Sequence, residues 1–285
     1  MNICMFTNTY LPHVGGVARS VANFTQDLRE NGHNVLVVAP TFPDRKPGQD
    51  ADEVLRVPAI QNFNGSDFSF RIPLPFIINE AIDDFKPDII HSHHPFLLGD
   101  SAMRAAYRRD LPLVFTHHTL YEQYTHYVSN TSTAMKRFAI KLSTLYANLC
   151  YQVVAPSESI ARLIHERGVK RPIEIIPTGI DFEFFRQGEG NGFRKRLGLP
   201  EDARVIGHLG RLAPEKNLGY LAEAVALAMK QDDDAWFLVV GDGPSEADIR
   251  KIFEKAGLSG RLVMAGKQTG ENLRDAYHAM DLFAF

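Results

Sequence analysis

Three sets of residues in this chain have the types and spacing to do chemistry. Histidines come in two groups: His91, His93 and His94 in HSHH, and His117 and His118 in FTHHTLY. Glycines open turns after apolar runs, Gly15 and Gly16 in PHVGGVARS and Gly241 and Gly243 in VVGDGP. Arg211 and Lys216 flank the turn GRLAPEKN. Imidazole is a common zinc ligand. HxHH, however, lacks the helical i,i+4 spacing of zinc hydrolases and has no clear carboxylate beside it. Histidines that line a cleft or lie buried are the better reading, and no metal site is expected.

Glycine between a strand and a helix lets backbone N–H groups approach an anion at the helix N-terminus, although the same pair also makes a plain tight turn. A dinucleotide fold would place GxGxxG there and an acid at the end of the second strand. The loop here is TYLPHVGGVARS and the second apolar run ends Val38–Ala39–Pro40, which disfavours nicotinamide. At GRLAPEKN, a guanidinium, an ammonium and the N-terminus of the next helix suit a diphosphate. The alternative is a solvated basic loop in which Glu215 neutralises Lys216. GDGP by itself is only a turn.

Such residues need a scaffold that brings the ends of several strands together. Short apolar runs at Asn2–Phe6, Asn34–Ala39, Glu53–Val57, Pro87–His91, Pro112–Thr116, Tyr151–Ala155 and Ile173–Ile176 read as strands. Helical patterns occupy Val17–Glu30, Phe96–Arg109, Thr133–Asn148 and Ser157–Arg167. The alternation predicts an α/β fold with a doubly wound parallel sheet. In such sheets ligands bind outside the carboxyl ends of the strands, where both histidine groups fall.

Thr178–Pro200, rich in glycine and charge, breaks this rhythm and reads as a linker. A second series follows: strand Val205–Leu209, helix Asn217–Lys230, strand Trp236–Val240, helix Ser245–Lys255, strand Leu262–Ala265, helix Glu271–His278 and a final run, Leu282–Phe285, expected to be a buried strand. The expected division is a first domain over 1–180, a linker over 181–203 and a second domain over 204–285. A parallel strand expects a covering helix to follow it. The second domain therefore reads as incomplete.

The 285 residues fit two domains, and 45% apolar with 23% charged residues is the balance of a soluble globular protein. A formal charge of −3 gives no general attraction to nucleic acid. Two distant cysteines, Cys4 and Cys150, point to a reducing compartment without a disulfide framework. The opening NICMFTN is no signal peptide, and no apolar stretch spans a bilayer, so a cytoplasmic location is expected.

Taken in order, TYLPHVGGVARSVANFTQDLRENGHNVLVVAP, PDIIHSHHP, FTHHTLYEQY, VVAPSESIARLI, IIPTGIDFEFF, GRLAPEKN and VVGDGP resemble the retaining glycosyltransferases of the GT-B class (group 1, family 4). That family contains bacterial diacylglycerol glucosyltransferases and phosphatidylinositol mannosyltransferases. Thr178 stands where the family more usually has Asn. The resemblance implies two Rossmann-like domains facing a cleft. It also implies transfer of a hexose, most readily glucose from UDP-glucose, to an acceptor hydroxyl. GDP-mannose is the runner-up donor.

Roles follow from the same resemblance. Gly15 and Gly16 would border the donor diphosphate, Arg211 and Lys216 would neutralise it, and His118 would face the transferred sugar. Gly241, Gly243, Gly266 and Lys267 would contact the nucleotide; His13, Tyr121 and Tyr124 would lie in the acceptor region. No cofactor or metal is implied, because cationic side chains and helix dipoles supply the charge stabilisation. After DLFAF the family continues into a segment with two carboxylates, EPFG…E, and a helix that returns to the first domain. This sequence has neither, so it reads as C-terminally truncated, with little transfer activity and with self-association through its last strand.

HTLYEQYTHY resembles the corresponding stretch of diacylglycerol glucosyltransferases and implies a membrane-lipid acceptor. In Thr133–Asn148, Met135, Phe138, Leu142, Leu145, Tyr146 and Leu149 recur at helical spacing among Lys136, Arg137 and Lys141, and Arg104, Arg108 and Arg109 lie nearby. A basic amphipathic helix can lie peripherally on the anionic inner face of a cell membrane. The alternative is a stripe packed on the sheet. Three further readings compete: a transferase with a soluble acceptor, an inactive nucleotide-binding fragment, and a sugar-nucleotide 2-epimerase of the same architecture. GRLAPEKN and FTHHTLY favour the transferase.

Overall fold

A computed structural model describes residues 1–13, 15–42, 53–60, 70–71, 75–123 and 132–285. The chain forms two compact units, 1–180 and 181–285. In the first, β1 (Asn2–Phe6), α1 (Gly16–Glu30), β2 (Asn34–Pro40) and β3 (Val54–Val57) are followed by a short antiparallel pair, β4 (Ala59–Ile60) and β5 (Phe70–Arg71). Then come α2 (Pro75–Phe85), β6 (Ile89–Ser92), α3 (Leu98–Arg109), β7 (Leu113–Thr116), α4 (Thr133–Leu149), β8 (Gln152–Ala155), α5 (Glu158–Glu166) and β9 (Ile173–Ile175). Seven of the strands form one parallel sheet in the order β3-β2-β1-β6-β7-β8-β9.

The core follows from the two-residue period of a strand. Cys4 and Phe6 point to the same side as Leu36, Val38, Ile90 and Phe115, where α2, α3 and α4 cover them. Ile3 and Met5 point to the other side, with Val35, Val37 and Val21 of α1. A strand buried on both faces must be apolar throughout, which is why NICMF and NVLVVAP show no alternation. Helix α2, flanked by prolines in the sequence, is an element beyond the expected set.

The second unit contains α6 (Phe182–Arg186), α7 (Gly190–Arg196), β10 (Arg204–Leu209), α8 (Leu218–Met229), β11 (Ala235–Val240), α9 (Glu246–Lys255), β12 (Leu262–Gly266), α10 (Gly270–His278) and β13 (Leu282–Phe283). Its parallel sheet runs β12-β11-β10-β13. Leu212, Phe237 and Val239 pack with α8 and α9; Val205, Leu238 and Val240 pack on the opposite face with Phe193 of α7 and Ala276 of α10.

Residues 181–203, expected to be a linker, are therefore folded into this unit. Glycine is there for close packing: a Cβ on Gly190 would come within 2.0 Å of the His278 carbonyl oxygen. Asp275 also accepts the Glu189 N–H at 3.0 Å, tying the segment to α10. A second correction concerns the final run. Only Leu282–Phe283 forms a strand, and these residues are 60% and 38% exposed rather than buried. Among the described residues β13 is an edge strand that pairs with β10, through Ile206 and Gly207.

Candidate functional site

In the first unit, β1, β6 and β7 are adjacent and parallel, and their registers align Met5 with His91 and Ser92 with Phe115. The loops that leave their carboxyl ends must therefore converge. Histidines from both sequence groups meet there. His91 Nε2 and Thr116 Oγ1 share a hydrogen bond of 2.7 Å, and His93 Nδ1 and His118 Nε2 share one of 2.9 Å. The His91 and His93 ring centroids lie 4.2 Å apart, those of His93 and His118 5.2 Å apart, so three imidazoles form a column. His118 is the half-buried outer member; His91 and His93 are buried.

The column is uncharged. Burial lowers the imidazole pKa to about 4 in His91 and His117 and to about 3 in His118. In His93, burial first and the neighbouring imidazoles second hold it well below the ordinary value. Among the described residues no three His, Cys, Asp or Glu side chains converge as a metal site.

His94 is architectural rather than part of that column. Its Nδ1 accepts the Asn8 N–H at 3.1 Å, while Asn8 Oδ1 accepts the Leu98 N–H at 3.1 Å at the start of α3. His117 is buried, with Nδ1 unpartnered among the described residues. Tyr121 is buried too, with its ring edge-on to Phe96 and to His117. Its hydroxyl has no partner among the described residues. Tyr124 lies outside them. An ion pair that sequence spacing could not reveal, Arg167 to Glu122 at 2.6 Å, pins the turn after β7 to the end of α5. The partners are 45 residues apart in the chain.

His13 stacks on Phe42 at 5.7 Å beside the glycine pair. Gly15 caps α1 in extended backbone that any residue can adopt, and a Cβ there would meet only the His13 ring. A Cβ on Gly16 would meet nothing within 4 Å among the described residues. Among the described residues, packing does not demand Gly16, and a Cβ on Gly15 would crowd only the His13 ring, at 3.2 Å.

The second unit presents charge instead. After β10 the chain passes Gly210 and Arg211, buries Leu212 and Ala213, and makes a short 3-10 turn over Pro214–Lys216 before α8. Leu212 is held at both backbone atoms: its N–H donates to the Asp242 carbonyl at 2.8 Å, and its carbonyl accepts the Ser245 N–H at 2.9 Å. The GDGP glycines serve this contact. At φ +143 and +144, Cβ atoms on Gly241 and Gly243 would lie 1.9 Å from the Gly210 oxygen and 2.4 Å from the Leu212 oxygen.

Arg211 and Lys216 face outward from this pinned backbone. Glu215 pairs with Arg211, not with Lys216 as the basic-loop alternative supposed. Lys216 is exposed and has no ion pair among the described residues. Beneath the turn, His208 donates from Nδ1 to the Ala284 carbonyl at 2.9 Å. Burial first lowers its pKa. Gly266, at φ +66, accepts the Gly241 N–H at 2.9 Å, and Lys267 beside it is exposed.

Helix α4 exposes an apolar stripe. Phe138, Leu145 and Leu149 are 60%, 54% and 63% exposed and, spaced by seven and four, share one face. Tyr146 and Ala147 turn the other way into the core, with the Tyr146 hydroxyl donating to the Gly99 carbonyl at 2.8 Å. Arg137 and Lys141 are exposed beside the stripe, while Lys136 is exposed at the start of the helix on the face that Ser143 and Ala147 continue into the core. Arg104 is engaged by Asp100 and Arg109 by Asp83, so those arginines are less available than their spacing implied. Among the described residues no helix is long and apolar enough to cross a membrane.

Comparison with known proteins matches residues 14–184 to the family described as Glycosyltransferase Family 4, and residues 191–285 to Glycosyl transferases group 1. An alpha-monoglucosyldiacylglycerol synthase of Acholeplasma laidlawii is 29% identical over 99% of this chain and 74% of its own length. A GDP-mannose-dependent alpha-mannosyltransferase of Corynebacterium glutamicum is 27% identical over 99% of this chain and 66% of its own. Among solved structures, Anabaena HepE in complex with UDP and glucose superposes with a TM-score of 0.74 at 18% identity, over 99% of this chain and 73% of that one. The likeness gives the fold, GT-B.

Proposed function

Because the chain belongs to glycosyltransferase family 4, we propose that it moves a hexose from a nucleotide sugar, UDP-glucose, to a hydroxyl of a membrane lipid such as diacylglycerol, with retention at the anomeric carbon. The observation that carries the donor half is the pinned turn after β10, which holds Arg211 and Lys216 outward next to the N-terminus of α8. Two cations and a helix N-terminus offset the charge that grows on a leaving diphosphate without a metal. His118, neutral and half-buried, would face the sugar, and Gly15 and Gly16 would leave room for the phosphates. Gly266 and Lys267 would lie towards the base. No side chain is assigned as a nucleophile. The leaving phosphate would take the acceptor's proton as the new bond forms on the same face of the sugar.

Calorimetry with UDP tests the donor half. Lys216→Ala should weaken binding by about 1.5–3 kcal/mol, the range of a charge-assisted hydrogen bond. Unchanged affinity in both Lys216→Ala and Arg211→Ala would overturn the assignment. Tighter binding of GDP than of UDP would move the donor to GDP-mannose, the substrate named for the Corynebacterium relative.

The acceptor half is supported by the exposed stripe of α4 within its basic surround. An apolar face among cations suits the surface of an anionic bilayer. Co-sedimentation with phosphatidylglycerol vesicles should rise with anionic lipid and fall with salt. It should also fall on the double change Lys136→Glu with Lys141→Glu. Transfer to a soluble polyol by a chain that binds no vesicle would sink the lipid reading.

A further inference from the structure

The bond between His93 and His118 has a consequence for the sugar side of the site. A neutral imidazole carries one N–H and one lone pair. Both rings are held in the neutral form by burial. One ring must therefore donate across the 2.9 Å contact and the other accept. If His118 donated from Nε2, the proton of His93 would sit on its Nε2, which is buried with no partner among the described residues. If His93 donates from Nδ1, the buried orphan is only a lone pair. Orphaned buried N–H groups are the rarer of the two in proteins. The remaining nitrogen of His118, Nδ1, is neither bonded nor buried among the described residues.

We propose that His93 is a positioning residue for His118: its Nδ1–H donates to His118 Nε2, which fixes the His118 ring and leaves it with its proton on Nδ1, as a hydrogen-bond donor toward the sugar. His93 is itself fixed at two other points. Its backbone N–H donates to the Phe6 carbonyl at 2.9 Å, and its ring lies against His91, which Thr116 holds. A residue so constrained sets its neighbour's tautomer as second-layer groups do around metal-bound histidines.

Long-range proton–nitrogen NMR on the histidine-labelled full chain decides the tautomer, with His118→Gln identifying the signal. The expected result is a protonated Nδ1 and a bare Nε2 in His118, and a mixture of tautomers after His93→Leu. A proton on His118 Nε2 in the unaltered chain overturns the proposal. The kinetic arm rests on the transferase reading above, whereas the tautomer does not. His93→Leu should lower kcat by roughly 10–100-fold, as misplaced reacting groups do, with UDP affinity changed less than about twofold. His93→Asn, whose amide N–H can stand where Nδ1 stands, should recover most of the loss. Equal kcat in all three, or equal loss in Leu and Asn, also overturns it. Absence of transfer by the unaltered chain would count against the transferase reading, and the tautomer would then decide the proposal alone.

Discussion

At the carboxyl ends of β6 and β7 the first unit gathers neutral histidines, all buried but the half-buried His118. At the carboxyl end of β10 the second unit holds a guanidinium and an ammonium in the open. Both regions use the same topological position, the mouth of a parallel sheet where helix N-termini collect. They differ in how each treats charge. Imidazoles stacked at 4.2 and 5.2 Å cannot each take up a proton without mutual repulsion, so that region offers hydrogen bonds and shape. The β10 turn buries its apolar residues, Leu212 and Ala213, and so keeps its cations in solvent. A neutral region suits a sugar; a cationic one suits a diphosphate.

The largest expected effect of this difference is acid sensitivity. An unfolded histidine takes up a proton near its ordinary value of 6.5, while His91, His117 and His118 resist until about pH 4 or 3. Stability from these neutral rings is complete above about pH 6.5 and drains as pH falls toward 4, by about 1.4 kcal/mol per ring per pH unit. Three rings make this several kcal/mol, on the order of the whole stability of a domain. The second unit has one such ring, His208, lowered first by burial, so it loses a smaller share over the same range. Its carboxylates are lowered as well, Asp232 below its ordinary value of 3.8 by its hydrogen bond from Arg204 and Asp275 by the Glu189 N–H. Those groups lose their effect only as pH falls further. The single tryptophan, Trp236, lies in β11 of the second unit. Circular dichroism should therefore begin to change at a higher pH than Trp236 fluorescence. Coincident transitions, or fluorescence moving first, would break the contrast.

Next in size is the separation of turnover from nucleotide affinity. His118→Ala should lower kcat by roughly 10²–10³-fold, the range for removing one preorganised donor at developing charge. UDP binding should be left nearly intact, because UDP lacks the sugar. His117→Ala should act mainly on stability, since its ring is buried between Phe115 and Tyr121. Equal loss of turnover and UDP affinity in His118→Ala would make that histidine structural as well.

The sheets were legible because parallel strands covered on both faces are uniformly apolar, and each such run is bounded by a turn. Residues 188–192 were misread because glycine for close helix packing and glycine for flexibility look alike in sequence. What separates them is His278, nearly ninety positions on. In the site, HSHH and HTLY stood out as groups, but their division of labour did not. His93 meets His118 only because β6 lies beside β7, whereas His94, one residue later, turns to Asn8. Likewise, residue adjacency pointed from Glu215 to Lys216, but the 3-10 turn swings its carboxylate to Arg211, four residues back.

That last pairing sets the smallest effect and the finest test of the cationic region. Glu215 is mostly buried; one of its carboxylate oxygens accepts from Arg211 and the other has no partner among the described residues. Its charge offsets part of what Arg211 could offer a diphosphate. Glu215→Gln keeps the shape and an oxygen for Arg211 to bond, and removes only the negative charge. The Glu215 charge would then no longer offset the two cations, and UDP should bind more tightly by about 0.5–1 kcal/mol, the range for partly exposed ion pairs. The gain should shrink in high salt, because exposed charges are screened over about 10 Å at 0.1 M. Weaker binding by Glu215→Gln would carry a different meaning: the carboxylate would be holding the guanidinium in place, and its positional role would outweigh its charge. Lys216→Ala and Glu215→Gln should therefore move UDP affinity in opposite directions if the turn works by net charge, and in the same direction if it works by geometry.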